Sequence, residues 1–296
     1  MATGPEALTF LSGGTRLAGN LYRPDRGGTT PGVVVCTGFG GTQDTPSVVA
    51  AATTFAEHGW AALTFDYRSF GRSDGRPRQV VSIRGQLADI RAAVAQLRRL
   101  PGVAADRVAL WGTSLGGGHV VTVAADDPRI AAVVAQVPFN GFPRKVEGRS
   151  ARSQRALLRA MAGDALRGAF RLPPGYIKAV GRPGELAVMA SDEAQRTVEN
   201  LASDTWENRV APRALWSMMR YRPGSVASRL TMPLLVCVAA LDRETQGEQT
   251  DQLVRAAPRV EVRTYPCSHF DMYRPDVRER VLADQVDFLS RALATA

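Results

Sequence analysis

Short continuous apolar runs alternate along most of the chain with stretches in which apolar residues recur every three or four positions. The continuous runs, bounded by turn residues, predict buried β-strands, and the helical spacing predicts amphipathic helices. The predicted strands are 7–12, 16–23, 33–36, "GWAALTFDYR", "RVALWG", "IAAVVAQVPF", "PLLVCVAAL" and "RVEVRTYP", and the predicted helices are 47–58, 83–100, 117–126, 247–256 and 275–293. Buried strands that alternate with helices indicate an α/β fold, in which helices cover both faces of a mostly parallel twisted sheet.

The alternation of strands and helices stops near residue 139 and resumes near residue 233. The segment between has helical stretches at 150–169, 192–202 and 212–220, broken by proline and glycine, and it contains no clear strand. We therefore expect a core domain made of residues 1–139 and 230–296, with an Arg-rich helical cap inserted at residues 140–229. We call this segment the insertion.

The positive charge of the chain is concentrated in the insertion, which holds 16 Lys and Arg against 8 Asp and Glu. The rest of the chain is nearly balanced, with 21 against 20, although the net charge is +9. No basic stripe with interleaved aromatic residues is present, so we expect no nucleic-acid partner. Most of the insertion's arginines are expected to form a solvated face. The alternative is that they recognise an anionic or carrier-linked acyl substrate; the candidates include Arg144, Arg149, Arg152, Arg155 and Arg159.

The composition, 45% hydrophobic and 22% charged residues, is typical of a soluble globular protein. No apolar run approaches the ~20 residues that span a bilayer, and "MATGPEALTF" lacks the features of a secretory signal. We therefore expect a cytoplasmic protein that does not contact a membrane, with a homodimer among the open oligomeric states. Cys36, Cys237 and Cys267 lack metal-ligand spacing and are expected to be buried, reduced thiols.

The segment "LWGTSLGGGHVV" places the pattern G-x-S-x-G between a predicted strand and a predicted helix. In this setting the pattern predicts a nucleophile elbow, a strained turn that projects the serine hydroxyl above the sheet. Gly112 and Gly116 would be required because the backbone passes too close there for a Cβ atom. Ser114 is therefore the candidate nucleophile, and an ordinary glycine-rich loop is the alternative.

A serine hydroxyl is a weak nucleophile that needs a base, and the chain has three histidines. His269 follows the last predicted strand, in a loop at the carboxyl edge of the sheet where binding loops gather, and is the candidate general base. His58 ends a predicted helix and is expected to cap it. His119 lies inside the helix that follows Ser114 and is expected to pack or to support the site.

Asp242 lies just past a buried predicted strand, at the same edge of the sheet as His269. The chain order Ser114, Asp242, His269 matches the order of a nucleophile, acid and base in an elbow-type hydrolase. Asp242 is therefore the candidate acid that orients the imidazole. The alternatives are Glu244 or Asp271 as the acid, and a plain ion pair of Asp242 with Arg243.

A transition-state oxyanion needs hydrogen-bond donors, and two backbone N–H groups are candidates. The residue after the nucleophile, Leu115, is one donor, and the glycine-rich loop "CTGFGGTQD" supplies the other at Phe39. The alternative for this loop is a plain connection between a strand and a helix.

The segments "TGFGGTQD", "FDYRSFGRSDG", "GTSLGGGH" and "SHFDMY" resemble the α/β-hydrolase superfamily across nearly the whole chain. They are most similar to bacterial dienelactone hydrolases and X-Pro dipeptidyl-peptidase-like serine esterases. The resemblance implies ester, thioester or amide hydrolysis through an acyl-enzyme, without a metal or organic cofactor. Arg68 in the second segment is expected to have a structural role.

The sequence thus predicts a serine hydrolase that cleaves a carboxylic ester or thioester of a small to medium organic substrate. Acyl transfer or cyclisation by the same acyl-enzyme is one alternative, and hydrolysis of an amide or peptide is another. A binding protein on a hydrolase scaffold is a further alternative, which the presence of serine, histidine and acid disfavours.

Overall fold

The structure, a computed structural model, describes residues 4–25, 27–142, 150–245 and 247–294. The strands are β1 (Glu6–Ser12), β2 (Thr15–Tyr22), β3 (Thr30–Cys36), β4 (Ala61–Phe65), β5 (Val103–Thr113), β6 (Ile130–Gln136), β7 (Lys178–Gly181), β8 (Ala187–Ala190), β9 (Leu234–Ala239) and β10 (Val260–Tyr265). The α-helices are α1 (Pro46–Glu57), α2 (Ile83–Arg99), α3 (Leu115–Ala124), α4 (Ala151–Ala169), α5 (Asp192–Leu201), α6 (Ala214–Met218), α7 (Gly247–Ala256) and α8 (Pro275–Ala294). Short 3₁₀ helices occupy Pro223–Arg229 and Asp271–Tyr273.

The main sheet has eight strands in the order β1-β2-β4-β3-β5-β6-β9-β10. The pairs β1–β2 and β2–β4 are antiparallel, and every other neighbouring pair is parallel. The predicted α/β fold with a mostly parallel sheet is therefore confirmed. Its central strands are buried on both faces, which is why they appear in the sequence as continuous apolar runs.

Two hydrophobic cores lie on opposite faces of this sheet because successive side chains of a strand point to opposite sides. Val34 and Cys36 of β3 belong to the core under α2 and α3. Val33 and Val35 of the same strand belong to the core under α1 and α8. The helices therefore cover both faces, as the sequence predicts, and leave the carboxyl edge of the parallel strands for loops.

The insertion lies between β6 and β9 and contains α4, α5 and α6, where the sequence predicts helical stretches. The expectation that it has no strand is wrong, because β7 and β8 form a separate two-stranded parallel sheet. Each of these strands has only four residues, too few for an alternating pattern to stand out. The domain boundaries at 140 and 229 stay a prediction.

Of the insertion's candidate arginines, Arg144 and Arg149 lie outside the described residues. Arg152, Arg155 and Arg159 lie exposed on α4, which fits the solvated face expected for most of them. The three cysteines are free and buried, as predicted. In the described ranges, no helix combines the length and the apolar character needed to cross a membrane.

Candidate active site

Ser114 lies between the end of β5 and the first residue of α3, with φ 54° and ψ −119°. This is a left-handed conformation that residues other than glycine rarely adopt, so the surrounding structure must hold it. The Ser114 N–H donates to the Gln136 carbonyl at 2.9 Å, and the Ser114 carbonyl accepts from the Phe139 N–H at 2.9 Å. These bonds to the end of β6 and to the segment that follows it hold the strained turn predicted from the sequence.

The glycines around Ser114 are required by close approach of the backbone. A Cβ atom on Gly112 would lie 2.4 Å from the Gly116 carbonyl oxygen. A Cβ atom on Gly116 would lie 2.3 Å from the carbonyl oxygen of Thr37, in the glycine-rich loop after β3. The turn at Ser114 and the glycine-rich loop therefore pack directly against each other. This close packing explains why Gly112 and Gly116 are glycines.

His269 lies in the loop after β10, and its side chain is only 3% exposed. Its Nδ1 is 2.8 Å from Oδ2 of Asp242, which follows β9 at the same edge of the sheet. Because a carboxylate accepts, this contact places a proton on Nδ1 and leaves Nε2 as the basic nitrogen. The Asp242 carboxylate is held in turn by the backbone N–H groups of Glu244 and Thr245, each at 2.8 Å, and by the Thr245 hydroxyl at 2.7 Å.

The pKa values of this pair shift in opposite directions. Burial lowers the pKa of His269, but the charge of Asp242 and the hydrogen bond to it raise it more, so the pKa is raised overall. Burial raises the pKa of Asp242, but His269 and the bonds from Thr245 lower it more, so its pKa falls below the ordinary value. The arrangement therefore stabilises an imidazolium beside a carboxylate, which is the charge state that a general base passes through.

The alternative acids lie elsewhere. Asp271 accepts from the backbone N–H and the hydroxyl of Ser268, so it ties the turn that carries His269. Glu244 donates its backbone N–H to Asp242 and does not supply the carboxylate bound to His269. The plain ion pair of Asp242 with Arg243 is not what the structure shows, because the carboxylate is bound to His269.

Ser114 and His269 line one small cavity of about 40 Å³. Its other walls include Phe39, Met189 and Phe270, so they are mainly apolar and come from the glycine-rich loop, β8 and the His269 loop. Among the described hydrogen bonds, none joins the Ser114 hydroxyl directly to His269. Hydrogen bonds between catalytic groups are often long in an empty site and tighten when substrate binds.

The two candidate oxyanion donors belong to different elements, α3 and the glycine-rich loop. Leu115 is the first residue of α3, where backbone N–H groups have no partner within the helix. Phe39 lines the cavity beside Ser114, and a Cβ atom on the adjacent Gly38 would lie 3.3 Å from the Ser114 Cβ. The loop and the start of α3 therefore both lie next to Ser114, and the role of the Phe39 and Leu115 N–H groups as donors stays a prediction.

The other two histidines and Arg68 have the structural contacts expected from the sequence. His58 caps α1, with Nδ1 2.8 Å from the Thr54 carbonyl. His119 is fully buried between Gln86 and Tyr221, and burial lowers its pKa to about 3. Arg68 forms an ion pair with the buried Asp89 at 2.6 Å.

A network of hydrogen bonds between buried polar side chains was not predicted from the sequence, because most of its residues are far apart along the polypeptide. The Trp111 indole donates to Gln285 at 2.8 Å, Gln285 donates to Gln136 at 2.9 Å, and Gln136 donates to the Thr113 hydroxyl at 3.2 Å. Thr113 then contacts the Tyr273 hydroxyl at 3.0 Å. This network links Thr113, the residue before Ser114, to the segment after His269 that contains Tyr273. Thr113, inside "GTSLGGGH", and Tyr273, inside "SHFDMY", are members that lie within the motifs.

A second missed feature joins the glycine-rich loop to the insertion. Asp44 Oδ1 accepts from the hydroxyls of Thr42 at 2.6 Å, Ser203 at 2.7 Å and Thr205 at 2.8 Å. Its Oδ2 also accepts from the Thr205 backbone N–H at 3.2 Å. Asp44 therefore attaches residues 203–205 to the loop that contains Phe39.

Within the described residues, no group of His, Cys, Asp or Glu is placed to hold a metal ion.

Comparisons with known proteins agree with this architecture. The model of the family described as Hydrolase_4, serine aminopeptidase S33, matches residues 30–269. The quorum-quenching protein AidA of Acinetobacter baumannii is 35% identical to this chain, and the match covers 97% of this chain and 95% of AidA.

Two further comparisons, one of sequence and one of structure, involve the protein GrgF of Penicillium. The polyketide transferase GrgF of Penicillium sp. is 29% identical, over 97% of this chain and 96% of its own length. The crystal structure of the α/β hydrolase GrgF from Penicillium sp. sh18 superimposes with a TM-score of 0.81 at 24% identity, covering 99% of this chain and 100% of that one. The structural match shows a shared fold.

Proposed function

Because the chain belongs to the serine aminopeptidase S33 family of α/β-hydrolases, we propose that it is a serine hydrolase that forms an acyl-enzyme. The proposed substrate is a carboxylic ester or thioester of a small to medium organic molecule. The observation that carries the proposal is the strained Ser114, which lines the same cavity as His269, whose imidazole is hydrogen-bonded to Asp242.

The proposed reaction begins when His269 Nε2 takes the proton of the Ser114 hydroxyl and Oγ bonds to the substrate carbonyl carbon. The carbonyl π electrons move to its oxygen, and the N–H groups of Phe39 and Leu115 stabilise the oxyanion. Collapse of this intermediate breaks the bond to the alcohol or thiol, which leaves with the proton from His269. Water, deprotonated by His269, then attacks the acyl-enzyme, and Ser114 regains its proton as the acid departs.

Asp242 takes part by holding the imidazole with Nε2 free and by stabilising the imidazolium that forms twice in each cycle. The mainly apolar walls of the cavity keep the surrounding dielectric low, which strengthens hydrogen bonds to developing charge. The proposed steps therefore use the side chains and backbone N–H groups of this chain, the substrate and one water molecule.

The experiment measures hydrolysis of p-nitrophenyl acetate, p-nitrophenyl butyrate and the matching acyl thioesters of N-acetylcysteamine. We expect turnover by the wild type and a fall of at least about 10³-fold in the Ser114→Ala variant. Equal rates in the two proteins would refute the proposal. A peptide p-nitroanilide run in parallel tests the amide alternative, since its cleavage would extend the substrate class to amides.

Acyl transfer is a second candidate function, favoured by two observations. The relative GrgF is described as a polyketide transferase, and the cavity at Ser114 is small and mainly apolar. A site that excludes water prolongs the acyl-enzyme and lets an organic hydroxyl or amine attack it instead. Mass analysis of products with and without an added alcohol separates the two, because a transferase yields the new ester in excess over the free acid.

A further inference from the structure

A second cleft, of about 600 Å³, shares no residue with the cavity at Ser114. It lies between the loop at residues 76–78 and the insertion. Its walls carry five arginines and a set of apolar or aromatic residues: Arg76, Arg78, Arg171, Arg209 and Arg213, with Pro77, Leu172, Pro173 and Tyr176. This size lies within the range of small-molecule sites.

The cleft has more positive charge than its carboxylates neutralise. Arg213 is paired with Asp164, whose side chain is fully buried, and Arg209 is paired with Glu207 at 2.6 Å. Within the described residues, Arg76 and Arg171 make no ion pair. These two arginines are exposed and leave their guanidinium groups available to a ligand.

Arg78 adds a third positive charge that no carboxylate in the described residues neutralises. Its guanidinium donates to the backbone carbonyls of Gly71 and Ser73, which hold the group in place and leave its charge intact. The Arg78 carbonyl accepts from the Tyr176 hydroxyl at 2.9 Å, so the aromatic wall is attached to the same loop. The loop at residues 76–78 and the insertion form the two walls of the cleft, and this hydrogen bond joins them directly.

Arg213 supplies the observation that points most directly to a ligand. Its Nε donates to Asp164 at 2.9 Å, but its Nη2 is buried without a hydrogen-bond partner in the part of the chain that the structure describes. A buried guanidinium nitrogen without an acceptor is costly. An anion in the cleft would supply that acceptor.

The surplus charge and the mixed walls indicate the class of ligand. Three unneutralised arginines exceed what a single carboxylate needs, whereas a phosphate group offers two negative charges and several acceptor oxygens. The cleft is also larger than a free phosphate ion, and the apolar and aromatic walls would take an organic portion. We propose that this cleft binds the phosphate of a phosphorylated organic small molecule, such as a nucleotide, at a site separate from the cavity of Ser114.

The test is isothermal titration calorimetry at constant ionic strength with ADP, adenosine and inorganic phosphate as probes. We expect the wild type to bind ADP more tightly than phosphate and adenosine least of all, because both portions of the ligand contribute. The Arg76→Ala/Arg171→Ala variant should bind ADP at least about tenfold more weakly, since it loses two charged donors.

The matched control is Arg152→Ala/Arg159→Ala, which removes the same charge from exposed positions on α4 outside the cleft. We expect this control to bind ADP as the wild type does. Absence of ADP binding to the wild type at millimolar concentration, or equal weakening in both variants, would overturn the proposal. The measurement needs no turnover, so its failure leaves the proposed hydrolysis standing, and the failure of hydrolysis would leave this site standing.

Discussion

Ser114 is the residue whose backbone and side chain have conflicting requirements. Its hydroxyl is the proposed nucleophile, while its φ of 54° would suit a glycine better. We expect Ser114→Gly to be more stable than Ser114→Ala by about 1 kcal/mol, because glycine adopts this φ without strain. Urea denaturation of the two variants, both without the hydroxyl, measures the difference. Equal free energies of unfolding would mean that the turn is not strained.

The His269–Asp242 pair gives a prediction about pH. The pKa of His269 is raised overall, and the proposed base acts only when it is deprotonated, so activity should rise with pH. We expect kcat/KM for ester hydrolysis to increase through a midpoint above the ordinary imidazole value of about 6.5. In Asp242→Asn the raising charge is gone, so the midpoint should fall and kcat should drop by about 10³–10⁴-fold.

The measurement is the pH profile of kcat/KM for the wild type and Asp242→Asn with the same ester. Glu244→Gln is the control, because this carboxylate contributes less to the raised pKa of His269 than Asp242 does. A midpoint that stays in place in Asp242→Asn, or that moves further in Glu244→Gln, would contradict the assignment of the acid.

At the residue scale, the sequence indicates those groups whose neighbours lie close along the chain. Ser114 is predictable because its glycines are within two positions, and His269 because the chain offers few histidines. The attachment of Asp44 to Ser203 and Thr205 could not be predicted, since it joins residues more than 150 positions apart by short polar side chains. Such contacts leave no periodic pattern.

At the scale of the elements, the junction of β5 and α3 is closely packed. A Cβ atom on Gly116 would collide with the Thr37 and Cys36 carbonyl oxygens, at 2.3 and 2.7 Å. We expect Gly116→Ala to lower the free energy of unfolding by more than about 2 kcal/mol, because backbone atoms must shift.

Gly163 provides the matched control for this substitution. It lies inside α4, and nothing lies within 4 Å of the position that a Cβ atom would take. Gly163→Ala should raise the free energy of unfolding by about 1 kcal/mol through helix propensity. Denaturation of both variants checks the contrast, and destabilisation of similar size in both would show that the close packing at Gly116 has no special cost.

The elements of the core were predictable and those of the insertion only in part, for a physical reason. Strands such as β3 and β6 are buried on both faces, so tertiary structure selects continuous apolar runs that a sequence displays. The short strands β7 and β8 pair only with each other, and their four residues carry no comparable pattern. Their existence follows from tertiary contacts and not from local preference.

At the scale of the whole molecule, Asp44 links the glycine-rich loop of the core to the insertion. Its carboxylate accepts from three hydroxyl groups and one backbone N–H. We expect Asp44→Ala to lower the free energy of unfolding by about 2 kcal/mol or more, because hydrogen bonds to a charged acceptor are lost both within the loop and to the insertion. Asp204, which is exposed and lies between Ser203 and Thr205, provides the control, and Asp204→Ala should change the free energy of unfolding by no more than about 0.5 kcal/mol.

The same pair of variants tests whether the link matters for the proposed reaction. Since Asp44 is the last residue of the glycine-rich loop that contains Phe39, its loss should lower kcat more than it raises KM. Kinetic analysis of Asp44→Ala and Asp204→Ala with one ester measures both constants. If Asp44→Ala matched Asp204→Ala in stability and in kcat, the link would have no role in holding the loop.

The central claim is that Ser114 becomes acylated with help from His269. The most direct measurement treats the wild type, Ser114→Ala and His269→Ala with a fluorophosphonate probe and maps the adduct by peptide mass spectrometry. We predict one adduct on Ser114 of the wild type, none at this position in Ser114→Ala, and labelling of His269→Ala slowed by at least about 10²-fold. An unlabelled wild type, an adduct on another residue, or unchanged labelling of His269→Ala would contradict the account.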